Sequence, residues 1–396
     1  MCCSFPSLCF FLVLLLSSAA VIPSGSAADN HSNASKQLKP SPETATPQSS
    51  MVQSELDTLF RIMEIMSSDR TWRISYPNPC NPGSSWTGIE CKTGKNNHLH
   101  VSRLDFGNPP NPSCRAAAIF PPEIFQLPYL ESAFFFHCFT HSTTTTIAMP
   151  ASAVTNSSLE QLSLRSNPSL VGRIPAQLSS LKSLQVLTLS QNHLTGKIPL
   201  QIFLLRSLVH LDLSYNSLTG ALPYEVGNLR NLVGLDLSYN SLSGIIPNSI
   251  GELGQLQKLD LSSNSLVGRI PSSIEKLTSL VFIALSSNLL RGSFPQGLTK
   301  LVNLQYFIMD DNPMNIPLPQ EFGVLVKLQE LRLSNSGFSG TIPPSFSQLV
   351  NLITLSLQNN RLTGGIPVGL SSLSHLYHLN LSRNFLEGTV PFNGSF

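Results

Sequence analysis

The sequence predicts an α/β repeat solenoid, in which short strands stack side by side into one parallel sheet. Residues 159–384 contain ten similar blocks, such as LVHLDLSYN, and after a first step of 25 residues every step is 24 residues. Each block alternates leucine with polar residues, as half-buried strands do. A glycine-x-apolar-proline segment follows nearly every block. Because chance does not keep such a register over ten copies, we expect a stacked-repeat architecture.

The ninth position of each block forms a column of polar residues. The column consists of Asn167, Asn192, Asn216, Asn240, Asn264, Asn288, Asn312, Ser336, Asn360 and Asn384. In L-x-x-L-x-L-x-x-N, the leucines lie on one face of a strand, and the asparagine amide turns inward to pair with backbone groups at the bend. The pattern indicates leucine-rich repeats with an asparagine ladder. Ser336 is shorter, so we expect it to leave a backbone group unpaired or bridged by water.

The segment after each block has a glycine for the turn and a buried apolar residue before proline. It occurs nine times, from Gly172–Pro175 to Gly388–Pro391. Here the chain resembles the plant-specific class of leucine-rich repeats, which implies a superhelix with a parallel β-sheet on its concave face. The copy after Asn312 departs from the pattern, because Ile316 replaces the glycine and Pro317 is added. We expect an altered convex turn there and favour sequence drift over a functional kink.

The amino terminus predicts secretion. Residues 1–28 are expected to be a signal peptide, because Phe10 to Leu16 form an apolar core too short to span a bilayer and small residues follow. Residues 29–50 are polar and rich in Pro, Ser and Thr, so we expect a disordered leader. Glycosylation is expected at Asn-x-Ser sequons of a secreted chain. The sequons lie at Asn30, Asn33, Asn156, Asn380 and Asn393.

Residues 51–100 are expected to cap the open end of the solenoid, which would otherwise expose apolar surface. Apolar residues recur at helical spacing from Ser54 to Met66, and Ser54 and Asp57 are expected to form a capping box at the start of that helix. The following stretch, NPCNPGSSWTGIEC, resembles the amino-terminal cap of plant leucine-rich-repeat ectodomains. The resemblance implies that Cys80 pairs with Cys91 and that Trp86 covers the first coil.

Residues 101–158 are expected to form two irregular first repeats. Cys114 and Cys138 are 24 residues apart, which is one repeat, so both are expected at ladder positions of adjacent coils. Because neighbouring strands lie about 4.8 Å apart, we predict a disulfide between them, with two reduced thiols as the alternative. The Cys138 copy is about five residues longer than the standard repeat and rich in threonine. We favour a tolerated surface insertion over a binding loop.

Composition and motifs argue against several functions. The net charge is +2, with only 12% charged residues, and the charges are scattered, so no nucleic acid or acidic lipid is expected as a partner. The sequence contains no phosphate-binding loop, nucleophile elbow, zinc-protease motif or kinase motif. His137 and His141 are spaced for metal binding on a helix, but in strand and loop context they would not share a face. We therefore expect no catalytic residue, no metal and no cofactor.

Three aspartates, Asp212, Asp236 and Asp260, align on successive predicted strands. Neighbouring carboxylates repel at strand spacing, and such a pair could serve in catalysis. We favour a solvated row eased by His210 and Lys258, because no enclosed pocket is implied. The protein is not expected to be an enzyme.

Outward strand residues are expected to form rows that a partner reads. One row is His210, Gly234, Lys258, Phe282, Tyr306 and Glu330; a second is Asp212, Asp236, Asp260, Ala284, Ile308 and Arg332; Tyr215 and Tyr239 lie beside them. Phe282, Tyr306 and Ile308 do not pack into the core, so we expect exposed anchors of the types that dominate binding energies. Simple shielding of the sheet is an equal alternative. We predict a peptide or protein ligand, contacted by Tyr215, Tyr239, Lys258, Phe282, Tyr306, Ile308 and Arg332.

Larger stretches carry a family resemblance. The cap, the segment HVSRLDFGNPPNPSC and the run NSSLEQLSLRSNPSLVGRIP resemble plant leucine-rich-repeat receptor-like proteins. The resemblance implies a cell-surface protein without a kinase domain, acting in plant responses to microbes or endophytic fungi. Such a protein would bind an extracellular ligand and signal through a leucine-rich-repeat receptor kinase as co-receptor.

A second class of function stays open, namely a secreted soluble binder or inhibitor of microbial cell-wall hydrolases. Residues 159–396 are expected to hold ten repeats without a carboxy-terminal cap, because the chain stops shortly after Pro391. We expect a truncated product, in which membrane attachment would need a carboxy-terminal anchor absent from this chain. A genuine stop after Phe396 would favour the apoplast over the cell surface.

Overall fold

The computed structural model describes residues 50–69, 71–81, 86–141, 143–150 and 157–392. The predicted signal peptide, nearly all of the predicted leader, and the sequons at Asn30, Asn33, Asn156 and Asn393 lie outside the described residues. Among the residues described, no helix is both long and apolar enough to cross a membrane.

One sheet of 13 strands runs along the described repeats, and it is the concave sheet that the sequence predicts. Its members are β1 (Ile89–Thr93), β2 (Leu99–Phe106), β3 (Ser132–Phe136), β4 (Gln161–Arg165), β6 (Val186–Thr188), β8 (His210–Asp212), β10 (Gly234–Asp236), β12 (Lys258–Asp260), β14 (Phe282–Ala284), β16 (Tyr306–Ile308), β17 (Glu330–Arg332), β19 (Thr354–Ser356) and β21 (His378–Asn380). Only β1 and β2 pair antiparallel within it. Leu235 of β10 lies between Leu211 and Leu259 of its neighbours, so the 24-residue period fixes the register.

Short strands also form after the ladder column, at the glycine-containing segments. A six-stranded sheet contains β5 (Asn167–Arg173), β7 (Asn192–Lys197), β9 (Ser217–Ala221), β11 (Ser241–Ile245), β13 (Ser265–Gly268) and β15 (Leu289–Leu290); a three-stranded sheet contains β18 (Ser339–Gly340), β20 (Arg361–Gly364) and β22 (Phe385–Leu386). The two sheets are separate because the coil that begins at Asn312 contributes no strand to either. This is the altered turn that the sequence predicts.

The remaining side of most coils is a 3-10 helix of five residues, although none lies in the described part of the coil between β3 and β4. These are η1 (Pro122–Gln126), η2 (Ala176–Ser180), η3 (Leu200–Leu204), η4 (Tyr224–Asn228), η5 (Asn248–Glu252), η6 (Ser272–Lys276), η7 (Gln296–Lys300), η8 (Gln320–Val324), η9 (Pro344–Gln348) and η10 (Val368–Ser372). A proline precedes each one, and its carbonyl accepts the first 3-10 hydrogen bond, as Pro247 accepts from Ile250 at 3.0 Å. Proline suits this place because its φ is already fixed and it has no N–H to satisfy.

The core lies between the concave sheet and the 3-10 helices. Leu235 and Leu237 point inward from β10 and its continuation, and each is completely buried. Burying one such side chain contributes about 1.5–3 kcal/mol. A single coil has no second layer of its own, so this stabilisation depends on stacked neighbours.

The asparagine ladder forms as predicted. Asn264 is representative: its Nδ2 donates to the carbonyls of Leu237 and Leu261, and its Oδ1 accepts from Leu242 N at 2.9 Å. Each rung therefore joins its own coil to the preceding one.

The expectation for Ser336 is wrong. Its hydroxyl donates to Ser334 O at 2.8 Å, with Met309 O as a second acceptor at 3.3 Å for the same proton, and it accepts from Asn312 N at 3.3 Å. The amide of Met314, whose counterparts bond to a ladder asparagine, instead bonds to Asn312 O at 2.8 Å. The local backbone turn thus supplies the acceptor that the shorter side chain cannot reach.

In the irregular coil at Asn312, the residue with left-handed backbone conformation lies one position earlier than in the regular coils. In regular coils the turn glycine has positive φ, as at Gly268 with φ of +81°. Ile316 stands at the corresponding position, and a β-branched residue is strongly disfavoured there. Positive φ occurs one residue earlier, at Asn315, where it is +49°. Asparagine tolerates this region better than other non-glycine residues.

The amino-terminal cap contains two α-helices, α1 (Gln53–Met66) and α2 (Trp72–Ser75). The predicted helix is confirmed, but the predicted capping box is wrong, because Val52 is the N-cap residue and no side chain caps the helix. Asp57 accepts a hydrogen bond from Gln53 instead, at 2.9 Å.

A buried His–Glu pair and a disulfide join the cap to the sheet. His100 Nδ1 lies 2.6 Å from Glu55 Oε2, and Glu55 Oε1 accepts from Val101 N at 2.9 Å. Cys80 and Cys91 are bonded, with Cα atoms 5.6 Å apart. Trp86 packs on Phe106 of β2 with ring centroids 5.8 Å apart, so it covers the start of the sheet.

The Cys138 copy is five residues longer than the standard repeat, as the sequence predicts, and the coil before it is equally long, which the sequence analysis did not expect. Leu104 pairs with Ala133 and Ala133 with Leu162, so both steps are 29 residues. Cys114 and Cys138 are bonded, with Cα atoms 5.0 Å apart. Cys138 occupies a ladder position, where Asn167 Oδ1 accepts its N–H at 2.7 Å. Cys114 does not follow its strand at the ladder spacing, because an insertion at 108–112 separates them.

Candidate ligand-binding surface

The predicted rows are present on the concave sheet. Strand pairing places His210, Gly234, Lys258, Phe282, Tyr306 and Glu330 side by side, and likewise Asp212, Asp236, Asp260, Ala284, Ile308 and Arg332. We call the surface formed by these two rows, with Tyr215 and Tyr239, the concave surface. It divides into an aromatic pair, an acidic part, an apolar part and a charged end.

The aromatic pair lies at the edge of the concave strands. Tyr215 and Tyr239 both have positive φ, of +52°, which turns their side chains out of the core. Their rings stack with centroids 4.1 Å apart and are 46% and 48% exposed. Burial, and next the neighbouring Tyr239, raises the pKa of Tyr215. Tyr215 therefore stays uncharged, and the stacked pair offers a flat apolar face with hydroxyl edges.

The acidic part is a row of half-buried carboxylates. Ser238 donates to Asp236 Oδ1 from its N–H and its hydroxyl, at 3.1 and 2.6 Å, and Asp236 Oδ2 lies 2.8 Å from Lys258 Nζ. Burial and the charge of Asp236 raise the pKa of Asp212, and the same two causes raise that of Asp260 to about 6. Within the described structure, the Lys258 ammonium is thus the one cation near three carboxyl groups in this row. Two of these, Asp212 and Asp260, hold protons more tightly than ordinary aspartates.

His210 does not ease the aspartate row as the sequence analysis expects. Burial, followed by the charge of Lys258, lowers the pKa of His210, so the imidazole is held neutral. Its ring leans over Gly234, where an added Cβ would come within 2.7 Å of Nδ1. Lys258 is therefore the cation of this part of the surface. The carboxylates around Lys258, Asp236 foremost, outweigh its burial and raise its pKa.

The apolar part corrects the prediction of exposed anchors. Phe282, Tyr306 and Ile308 are half-buried rather than exposed. Phe282 packs on Tyr306 with ring centroids 6.0 Å apart, and Lys258 Nζ lies 5.8 Å from its ring centroid on the other side. The side chains cover one another along the row, because neighbouring strands bring them into contact. A ligand would meet only the parts of these side chains that their neighbours leave exposed.

The charged end contains a residue that the sequence analysis missed. Arg332 Nε bonds to Asp310 Oδ2 at 3.0 Å, and Arg332 also lies 3.5 Å from Glu330. Asp310 is buried and accepts from Ser334 N at 2.7 Å. The other repeats nearly all have serine at this position, as at Ser286 and Ser334. The aspartate in YFIMDDN was the available signal, and it fixes the guanidinium of Arg332 in place.

Within the part of the chain that the structure describes, no cluster of three or more His, Cys, Asp or Glu side chains is arranged to hold a metal ion. His137 has a positive φ of +55° at the end of β3, and its Nδ1 lies 3.3 Å from Ser166 O.

Comparisons with known proteins identify the repeat and its relatives. Leucine-rich-repeat family models match residues 183–205, 206–266 and 326–386. The chain is 67% identical to Receptor like protein 29 of Arabidopsis thaliana over 143 residues, 36% of this chain and 31% of that protein. It is 33% identical to Piriformospora indica-insensitive protein 2 of Arabidopsis thaliana over 158 residues, 38% of this chain and 35% of that protein. The matched parts thus span about a third of each relative.

Solved structures share the fold. The PEPR1–AtPEP1 crystal structure is 32% identical with a TM-score of 0.71, covering 85% of this chain and 46% of that one. The Arabidopsis receptor kinase HAESA, solved with the peptide hormone IDA and the co-receptor SERK1, is 28% identical with a TM-score of 0.71, covering 86% of this chain and 55% of that one. The protein is therefore a leucine-rich-repeat solenoid with homologues among the plant receptor-like proteins and a fold like that of plant receptor ectodomains.

Proposed function

We propose that the protein binds an extracellular peptide or protein ligand across its concave surface, from Tyr215 to Arg332. The observation that carries the proposal is the in-register combination, on one sheet face, of an exposed stacked tyrosine pair, half-buried carboxylates and half-buried aromatic rings. Aromatic residues and arginine supply most of the binding energy at protein interfaces. Here they alternate with charged groups that a ligand can pair with.

The dimensions suit a short extended ligand. The rows cross six strands, from β8 to β17. At about 4.8 Å between strands they span about 24 Å, which an extended peptide of about seven residues covers at roughly 3.3 Å per residue. The acidic part would accept a basic side chain and the apolar part a hydrophobic one. The Arg332 guanidinium, which Asp310 holds in place, would bind a carboxylate at the β17 end of the surface.

The relatives support a role in signalling at the cell surface. HAESA was solved with a peptide hormone and a co-receptor, and Receptor like protein 29 is a receptor-like protein by name. We extend this to the present chain as a proposal: ligand binding on the concave surface recruits a leucine-rich-repeat receptor kinase, which transmits the signal. A role in responses to microbes or endophytic fungi is also proposed, supported by the similarity to Piriformospora indica-insensitive protein 2.

The ligand site is tested with displayed peptides. A library of random peptides is panned against the secreted chain, and the selected peptides are measured against Phe282→Ala and Tyr306→Ala. Loss of a buried aromatic anchor should weaken binding at least tenfold, because such anchors contribute about 2 kcal/mol or more. Tyr224→Ala is the matched control, since it removes a 71% exposed tyrosine from η4, away from the concave sheet.

Two results would place the ligand elsewhere. One is binding unchanged in both Phe282→Ala and Tyr306→Ala, and the other is an equal loss in Tyr224→Ala. Recruitment is measured separately, by ligand-dependent co-purification with purified receptor-kinase ectodomains. Inhibition of a microbial cell-wall hydrolase without any such recruitment would instead support the secreted inhibitor.

A further inference from the structure

One sequon lies on the concave sheet itself. Asn380 is exposed and is the last residue of β21, where it pairs in register with Ser356 of β19. Ser356 pairs in turn with Arg332 of β17. Asn380 therefore continues the row that begins at Asp212.

The turn at Asn380 repeats the geometry of the aspartate row. Ser382 donates to Asn380 Oδ1 from its N–H at 3.2 Å and from its hydroxyl at 2.8 Å. At Asp236, Ser238 makes the same two bonds to Oδ1, at 3.1 and 2.6 Å. Asp-Leu-Ser and Asn-Leu-Ser thus form the same local structure, and the exchange of aspartate for asparagine creates the sequon.

This correspondence shows where the amide nitrogen points. Because Oδ1 is occupied in both turns, Nδ2 of Asn380 takes the place of Oδ2 of Asp236. That oxygen faces the concave side, where it meets Lys258 Nζ at 2.8 Å. Among the described residues, no hydrogen bond is made by Asn380 Nδ2. The position is open toward the surface that a ligand would use.

We propose that Asn380 carries an N-linked glycan, which shields the adjoining strands and sets the limit of the concave surface beyond Arg332. In the secretory pathway a polyprenyl-diphosphate-linked oligosaccharide is the donor. The bond from the first sugar carbon to Asn380 Nδ2 forms, the bond from that carbon to the diphosphate oxygen breaks, and Nδ2 loses a proton as the diphosphate leaves. The glycan then projects over the concave face.

The glycan would restrict ligands to the strands before it. Ser356 is one strand and Arg332 two strands from Asn380, or about 5 and 10 Å. A flexible polar glycan at this distance excludes a bulky partner from β19 and leaves β8 to β17 open. This consequence for ligands rests on the proposed function, whereas the shielding itself does not. The experiment therefore measures shielding without any ligand.

The first measurement is occupancy. The full chain is secreted from plant or insect cells, and the peptide containing Asn380 is examined by mass spectrometry before and after enzymatic removal of N-glycans. We expect the glycosylated form to predominate. Ser382→Ala, which keeps Asn380 but destroys the sequon, should abolish it, and Ser382→Thr should retain it. An unmodified Asn380 in the secreted protein overturns the proposal.

The second measurement is shielding. A thiol is introduced on β19 by Ser356→Cys, and its rate of labelling by a maleimide-terminated polyethylene glycol is compared with and without Ser382→Ala. We expect labelling to be several-fold slower with the sequon intact. Thr188→Cys on β6 is the control, because Thr188 is half-buried in the same row and lies eight strands from β21. Its labelling should not depend on the sequon.

Equal labelling rates at the Ser356→Cys thiol, with Asn380 glycosylated, would show that the glycan does not cover the surface and would overturn the proposal. Slower labelling together with a ligand that still binds across β8 to β17 supports it. Slower labelling while Phe282→Ala leaves ligand binding unchanged would refute the proposed ligand site but not the shielding.

Discussion

At the scale of single residues, the ladder shows how one side chain serves two coils. Asn264 Oδ1 accepts from Leu242 N in the preceding coil, while its Nδ2 serves the carbonyls of Leu237 and Leu261. Those carbonyls have second donors, from Asn240 and Asn288 respectively. The backbone amide of Leu242 is the group that depends most on Asn264.

We predict that Asn264→Ala destabilises the fold by about 2 kcal/mol, the approximate cost of leaving one buried N–H unpaired. Asn264→Ser should lie between this variant and the wild type, since the Ser336 hydroxyl shows that serine can retain bonds to the ladder carbonyls. Denaturant midpoints of the three proteins provide the measurement. Equal losses for Ala and Ser would mean that Ser336 is tolerated only because of its irregular neighbouring coil.

The aspartate row predicts a dependence of stability on pH. The folded-state pKa of Asp260 is raised to about 6, so its stabilising contribution is present at low pH and is lost as pH rises through about 6. Asp260→Asn should therefore stabilise the protein by about 1–2 kcal/mol at pH near 7.5 and by little at pH near 4. Thermal unfolding of both proteins across this range measures the difference.

Asp311→Asn is the matched control for Asp260→Asn, because Asp311 is exposed at the edge of the strands. The free energy of unfolding of Asp311→Asn, and its dependence on pH, should stay close to those of the wild type. A gain for Asp260→Asn that is constant from acid to neutral pH would contradict the raised pKa.

At the scale of elements, the repeat period was sufficient to predict the concave strands from β4 onward, their register and the concave rows, but not the 29-residue steps from β2 to β4. The repeat period does not specify which partner each side chain contacts. Glu55 is committed to His100 and Val101 rather than to a helix cap, and this depends on residues about 45 positions away. The rings of Phe282 and Tyr306 are half-buried because they cover each other, which an alternating pattern does not specify.

The irregular coil gives a prediction about backbone conformation. Asn315 has φ of +49°, and a residue with a Cβ costs about 1–2 kcal/mol in this region. Asn315→Ala should therefore be less stable than Asn315→Gly by about 1 kcal/mol. The denaturant midpoints of the two variants provide the measurement.

Asn351 is the comparison site for this pair, because its φ is not positive although its Nδ2 also bonds to a backbone oxygen, Val326 O at 2.8 Å. There Ala should be at least as stable as Gly. The same order of stability at both sites would show that the left-handed position has not moved to Asn315.

At the scale of the whole molecule, each internal coil packs on its two neighbours and the cap packs on the first strands. Stability in such an array is a sum of coil and nearest-neighbour contributions. Damage at one end should therefore remain local. The concave surface at β8 to β17 begins four strands beyond β2, so ligand binding should not require an intact cap.

We predict that Glu55→Ala loosens the cap and first coils while leaving the concave surface folded. The carboxylate is 4% exposed and binds His100 and Val101 N. Its removal leaves buried polar groups unpaired, at a cost of about 3 kcal/mol. Amide hydrogen exchange should accelerate in α1, β2 and β3, and exchange in β12 to β17 should stay unchanged.

Glu64→Ala on the same helix is the control, because Glu64 is 50% exposed and its pair with Arg73 is a surface interaction of small energy. Uniform acceleration along the chain would show instead that the repeats unfold as one unit, in which case the cap supports the ligand surface directly.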